Sequence, residues 1–321
     1  MTARHLLVHL SLLFAALGPT ATASDCGVSL IVLGTGQDAG APQIGNPVDP
    51  GWRDPALRLT ATALALVDHN LGRRYLFEAT PHLTAQLQRL DRVAPTAATG
   101  LGIDGIFLTH AHIGHYAGLM FLGREAAGAQ GVPVWVLPRF ADYLRRNGPW
   151  SQLVALENIR IEELAADQAR TLPGGIAVTP RLVPHRDEFS ETAAYIVRTR
   201  ERSFLFVPDI DSWQQWTDDH GTELERLLDD VDLAFVDATF FDDNELPGRD
   251  MSQIPHPRVV ATMQRLQHLP EEQRARLHFI HYNHSNPIRD PGSPESQQVL
   301  RRGFRIAREG DRFCLATPAP L

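Results

Sequence analysis

The chain has only two cysteines in 321 residues, no run of basic residues, no internal repeat and no low-complexity tract. Each absence removes a class. Two cysteines, neither with a histidine beside it, supply no disulfide scaffold and no activated thiol. A net charge of −8 with no basic cluster leaves no electrostatic footprint for nucleic acid. No Gly-Xaa-Ser-Xaa-Gly elbow is present, so a covalent serine mechanism lacks its nucleophile. No linker marks a domain boundary, and one large domain over 24–321 is expected.

The first residues stand apart. Arg4 opens an apolar stretch from Leu6 to Leu17, interrupted by His9 and Ser11, and Ala21-Thr22-Ala23 follows as a small-residue cleavage pattern. This reads as a signal peptide over 1–23, too short to span a bilayer, with a buried N-terminal helix as the competing account. The expected location is periplasmic or secreted, with no membrane contact after cleavage. In an oxidising compartment Cys26, just before the first strand, and Cys314, in the last one, could pair; two buried thiols are the alternative.

What the chain has in abundance is histidine, 14 in all. Three fall within Leu108-Thr109-His110-Ala111-His112-Ile113-Gly114-His115, directly after the apolar strand Gly105 to Leu108 and before a helix expected over Tyr116 to Ala126. In extended chain His110 and His112 point to one side, and His115 swings back on the first helical turn. Imidazole is the commonest metal ligand among side chains, so this is a metal site at a strand end. A solvent-facing histidine-rich turn is the bland account, and the strand and helix flanks disfavour it.

Strands and helices alternate through the rest of the chain, which predicts an α/β fold. Strands are expected at Val28 to Leu33, Thr60 to Val67 in a hairpin with Arg74 to Phe77, Val134 to Leu137, Ala194 to Val197, Phe204 to Val207, Leu233 to Val236 and His278 to Ile280. Helices are expected at Pro81 to Leu90, Leu224 to Leu228 and Val259 to Leu269. A long Pro- and Gly-rich loop covers Asp38 to Asp54. Several strands end in functional groups: His185 after Leu182-Val183-Pro184, Asp209 after Val207-Pro208, and His281 with His284 after Ile280. Singly each is more often a cap or turn residue; their order carries the weight.

That order, a histidine cluster followed by His185, Asp209 and His281, resembles the metallo-β-lactamase superfamily from Gly34-Thr35-Gly36 to His281. The resemblance implies a four-layer αββα sandwich with a metal site at one edge. It implies His110, His112 and His185 on one zinc, His115 and His281 on a second metal, and Asp209 between them, with Mn2+ or Fe2+ as the alternatives to zinc. The departure is Gly114, which stands where the family carries an aspartate. The second metal is therefore expected to bind weakly, and aspartate at position 114 to tighten it. Asp211 competes with Asp209, and His284 with His281; His284 could also offset Gly114.

Three stretches narrow the resemblance. Thr60 to Leu83, with Phe77-Glu78-Ala79-Thr80-Pro81 near its end, Phe235 to Glu245 and Phe279 to Pro287 are similar to coenzyme pyrroloquinoline quinone synthesis protein B. Asp237-Ala238-Thr239-Phe240 followed by His256 is similar to the transfer-RNA 3′-processing phosphodiesterases. The leader and the extra histidines set the chain apart from the former.

The chemistry follows from the ligands. A divalent metal lowers the pKa of bound water from 15.7 to about 7 and polarises a carbonyl or phosphoryl oxygen. The expected activity is a metal-dependent hydrolase using a zinc-activated hydroxide on an ester-type bond of a small molecule, phosphodiester, lactone or related. Asp237 and His256 are the candidate orienting carboxylate and general acid, a cap and a turn residue being the alternative. A non-hydrolytic metal- or cofactor-binding protein of the same fold is the second reading.

Overall fold

Apolar residues fill β1 (Val28–Gly34), yet they enter two different cores. Leu30 and Val32 belong to one cluster, Ile31 and Leu33 to another. A strand buried on both faces lies between two layers. The computed structural model describes residues 26–97 and 100–319; the expected signal peptide, 1–23, lies outside the described residues.

Two seven-stranded sheets form. The first contains β1, β2 (Ala63–Asp68), β3 (Arg73–Phe77), β4 (Gly105–Phe107), β5 (Val132–Val136), β6 (Ile159–Glu163) and the last strand, β14 (Arg312–Ala316). The second contains β7 (Arg170–Thr171), β8 (Ala177–Val183), β9 (Thr192–Arg198), β10 (Ser203–Val207), β11 (Leu233–Asp237), β12 (Leu277–Ile280) and β13 (Arg305–Ile306). Their orders are β14-β1-β2-β3-β4-β5-β6 and β13-β12-β11-β10-β9-β8-β7.

Three cores account for the four layers. Phe77, Phe107 and Trp135 of the first sheet meet Tyr195, Phe204, Phe206 and Phe235 of the second. Phe77 stacks on Phe107 at 5.2 Å and meets Tyr195 and Phe204 edge-on at 5.6 Å, the offset geometries that aromatic rings favour. Behind the first sheet, Ile31, Leu76, Ile106 and Val134 pack on Leu83 and Leu90 of the helix Leu83–Val93 and on Phe140 and Leu144 of Pro138–Arg146. Behind the second, Leu205, Val207 and Val236 pack on Trp213, Trp216, Leu228 and Met263 from the helices Trp213–His220, Leu224–Asp230 and Val259–Arg265. This is the αββα sandwich expected from the sequence.

Direction matters for the site. β10, β11 and β12 are mutually parallel, and β8 and β10 both run antiparallel to β9. The C-terminal ends of β8, β10, β11 and β12 therefore share one edge of their sheet.

One expected helix is not there. Over Tyr116 to Ala126 the chain makes a short turn, Ile113–Tyr116, and then a 3-10 run, Ala117–Leu122. Gly118 presses against backbone so closely that a Cβ would lie 2.1 Å from the carbonyl oxygen of Thr80. This contact and Gly123 end the helical pattern. No described helix is long and apolar enough to cross a membrane.

Cys26 and Cys314 form a disulfide, with Cα atoms 5.6 Å apart, tying the start of the described chain to β14. It closes a separation of 288 residues. Loop closure on that scale stabilises by restricting the unfolded chain, so Cys314→Ser should cost about 2–5 kcal/mol in urea unfolding. Equal unfolding midpoints with and without reductant would refute this.

Candidate metal centre

Four strand ends of the second sheet and one of the first meet at a single point. β4 delivers His110, and the turn Ile113–Tyr116 brings His115 back beside it. His185 follows β8, Asp209 follows β10 after Pro208, Asp237 closes β11, and His281 is the first residue after β12. His256 enters from the long loop after β11.

Asp209 is the hub. Ring nitrogens of five histidines surround its carboxylate: His115 at 2.9 Å, His281 at 3.2 Å, His256 at 3.5 Å, His110 at 3.7 Å and His185 at 3.9 Å. All six residues are buried. Ligand-capable atoms also group in threes within 4.8 Å of one another: His110, His112 and His185; Asp38, His115 and His281; His110, His115 and Asp209; Asp209, Asp237 and His256.

The far nitrogens are occupied, which fixes what the near ones face. Nδ1 of His110 meets Thr109 Oγ1 at 2.8 Å, Nδ1 of His185 meets Asp211 Oδ1 at 2.7 Å, and Nδ1 of His281 meets Thr239 Oγ1 at 3.2 Å. Nδ1 of His115 faces Glu78 Oε1 at 3.3 Å. His112 is turned the other way, with Nε2 on Glu188 at 3.1 Å. The remaining nitrogens converge: His112 Nδ1 lies 2.8 Å from His110 Nε2 and 3.1 Å from His185 Nε2. Three nitrogens tetrahedrally placed around one ion at 2.0–2.1 Å would stand about 3.3 Å apart.

Two buried atoms test whether a metal fits. Nε2 of His115 and Nε2 of His281 make no hydrogen bond, although Asp209 Oδ2 is 2.9 and 3.2 Å away. Close approach without hydrogen-bond alignment is what ligands aimed at a common ion give, and orphaned buried polar atoms are otherwise costly. The residues present fit a divalent metal. The electrostatics agree: burial disfavours charge on His115, yet Glu78, Asp209 and Asp38 outweigh it and raise its pKa well above the ordinary value. Burial likewise opposes the charge on Asp209, and His281, His185 and His115 overcome it and hold the carboxyl well below its usual range. Burial leaves His110 well below the usual histidine value.

The model of the beta-lactamase superfamily domain matches residues 73–282. The chain belongs to the metallo-β-lactamase superfamily. Among its curated relatives, coenzyme PQQ synthesis protein B of Pseudomonas putida (strain GB-1) is 29% identical over 307 residues, covering 87% of this chain and 97% of the relative. Among solved structures, Zn(2+)-bound PqqB from Methylobacterium extorquens aligns with a TM-score of 0.73 at 18% identity, over 89% of this chain and 99% of that one. A diphosphatase from the PhnP family aligns with a TM-score of 0.63 at 19% identity, over 89% of this chain and 96% of that one. Both structural likenesses support the superfamily fold.

Within that fold, the structure brings together His110, His112, His115, His185, Asp209, Asp237, His256 and His281. It separates two pairs left open by the sequence. Asp209 lies at the centre, whereas Asp211 stands behind His185 on the far nitrogen. His284 is a correction: it joins none of the metal-capable groupings among the described residues, and its Nδ1 meets Asn283 Oδ1 at 2.8 Å.

The sequence reading missed the roles of Glu78 and Asp38. Glu78 is fully buried one residue past β3 and accepts hydrogen bonds from the backbone and hydroxyl of Thr109 while facing His115. Its φ of 77° is one of four positive values at the site, with Asp38 at 39°, His256 at 106° and His281 at 63°. Such conformations cost about 1–3 kcal/mol each and persist where the surroundings fix them. Orienting carboxylates behind a ligating histidine typically govern metal affinity 10–100-fold. Glu78→Gln should weaken zinc binding by about that factor in competition with a chromophoric chelator; wild-type affinity would reduce Glu78 to a packing role.

Proposed function

We propose that this protein is a metal-dependent hydrolase acting on an ester-type bond, phosphodiester, lactone or related, of a small-molecule substrate. The observation that carries the reading is the single carboxylate of Asp209 set among five buried imidazoles. In this reading His110, His112 and His185 would hold one zinc, His115 and His281 would face a second metal, and Asp209 would serve both. A divalent ion supplies Lewis acidity and makes water acidic enough to attack near neutral pH. The chain's own residues do the rest. Asp237 Oδ2 receives the Nδ1 proton of His256 at 2.7 Å, which fixes the ring and leaves Nε2 to hold the proton for a leaving group.

A panel of phosphodiester, lactone, β-lactam and thioester substrates, run with and without chelator, tests this. Turnover of an ester-type substrate that chelator abolishes is the expected result. Metal bound without turnover would favour the second reading, a metal- or cofactor-binding protein. That reading is supported by the full-length similarity to coenzyme PQQ synthesis protein B, whose name states a role in synthesis.

We also propose export to the periplasm or beyond. The leader composition of residues 1–23 and the Cys26–Cys314 disulfide support it, since such bonds persist in oxidising compartments. Alkylation of cell fractions before lysis, with a mass shift only after reduction, tests it; free thiols in a cytoplasmic fraction would overturn it.

A further inference from the structure

Gly114 is buried at the start of a helical turn, and its φ is not among the positive ones. Backbone conformation therefore does not require glycine here; space does. A Cβ at 114 would lie 2.5 Å from the Cα of Asp38, 2.7 Å from its Oδ1 and 2.9 Å from its Cβ. Asp38 occupies the volume into which any side chain at 114 would project. Its carboxylate also lies beside the two orphaned nitrogens: Oδ1 is 3.6 Å from His115 Nε2, and ligand-capable atoms of Asp38, His115 and His281 lie within 4.8 Å of one another. Both histidines are at least nine-tenths buried, at 2% and 1% exposure.

The loop that carries Asp38 is fastened to the strand end that carries His281. Gln37 N donates to the carbonyl of Tyr282 at 3.0 Å, Tyr282 N donates to that of Thr35 at 3.0 Å, and Gly36 bridges to Tyr282. Gly40 N closes the turn onto Gln37 at 2.8 Å. Asp38 thus sits at a fixed place with φ of 39°, a left-handed conformation that aspartate tolerates better than most residues.

We propose that Asp38 is a ligand of the second metal, a carboxylate supplied by the loop after β1 in place of one at position 114. The inference rests on the metal-centre reading above. Asp38 and Asp209 together offset the charge of the second ion, so that site is tight, and Gly114 is the space that lets Asp38 in. The expectation that aspartate at 114 tightens the site is accordingly reversed for the single substitution, because the new side chain meets Asp38.

Zinc titration followed by calorimetry and by elemental analysis after gel filtration tests this in the full chain. Wild type should retain two zinc ions. Asp38→Asn keeps the shape and tolerates the same φ, and should weaken the second zinc about tenfold or more while the first stays. Gly114→Asp alone should also lose the second zinc. Circular dichroism separates loss of metal from loss of fold. Two zinc ions of wild-type affinity in Asp38→Asn would overturn the proposal, as would a wild type holding one zinc, which leaves the hydrolase reading standing. A folded wild type that binds none overturns both.

Discussion

Asp209→Asn should abolish turnover and release metal from both positions of the centre. The substitution keeps shape and volume and removes one negative charge. That charge lies within 3.9 Å of nitrogens on His110, His115, His185, His256 and His281, all buried, where few other groups can replace it. Asn offers one carbonyl oxygen and an NH2 group, so one of the two oxygen positions becomes a donor pointed at nitrogens that should ligate. Orienting partners one step removed typically govern activity 10–100-fold, and a residue shared by both metal positions should exceed that range. The check is zinc content after gel filtration together with kcat on the substrate the panel identifies. Retention of two zinc ions with kcat within tenfold of wild type would remove Asp209 from the centre.

Much of this centre is legible in the sequence because strand ends announce themselves. A short apolar run followed by a polar residue marks His110, His185, Asp209 and His281, and strands running the same way collect the last three at one edge of the second sheet. Position in the chain does not say which of two neighbours faces inward. Asp209 and Asp211 are separated by the bend after β10, and His281 and His284 by the turn in which Asn283 captures the His284 ring. Glu78 and Asp38 illustrate a different limit. Neither lies in a ligand-like pattern; each reaches the site through a left-handed backbone conformation that no periodicity encodes. The helix expected over Tyr116 to Ala126 failed for a tertiary reason, the close approach of Gly118 to Thr80. In the sequence Gly114 looks like a missing ligand, and only the distance to Asp38 shows what fills its place.

The second large effect is expected at His256. Its Nδ1 lies 2.7 Å from Asp237 Oδ2 and 3.5 Å from Asp209 Oδ1, and Asp237 itself is held by hydrogen bonds from Ile210 N at 3.1 Å and Thr239 N at 2.8 Å. Burial pushes the imidazole toward neutrality, and the charges of Asp237 and Asp209 reverse that, raising its pKa to about 9. A divalent ion beside Asp209 opposes the raised value by repulsion, so the working pKa lies at or below about 9. In the proposed mechanism the protonated ring is the acid, so kcat should hold below that pKa and fall as pH rises through it. General acids of this kind contribute about 10²–10⁴-fold, and His256→Ala should lose kcat by that factor while keeping its metal content and losing the alkaline limb. Asp237→Asn should move the limb to lower pH, because the ring loses the charge that sustains its proton. Substrates with an activated leaving group, such as a nitrophenolate, need no proton and should be turned over by His256→Ala at close to the wild-type kcat. An equal loss for activated and unactivated leaving groups would assign His256 to positioning and not to proton transfer.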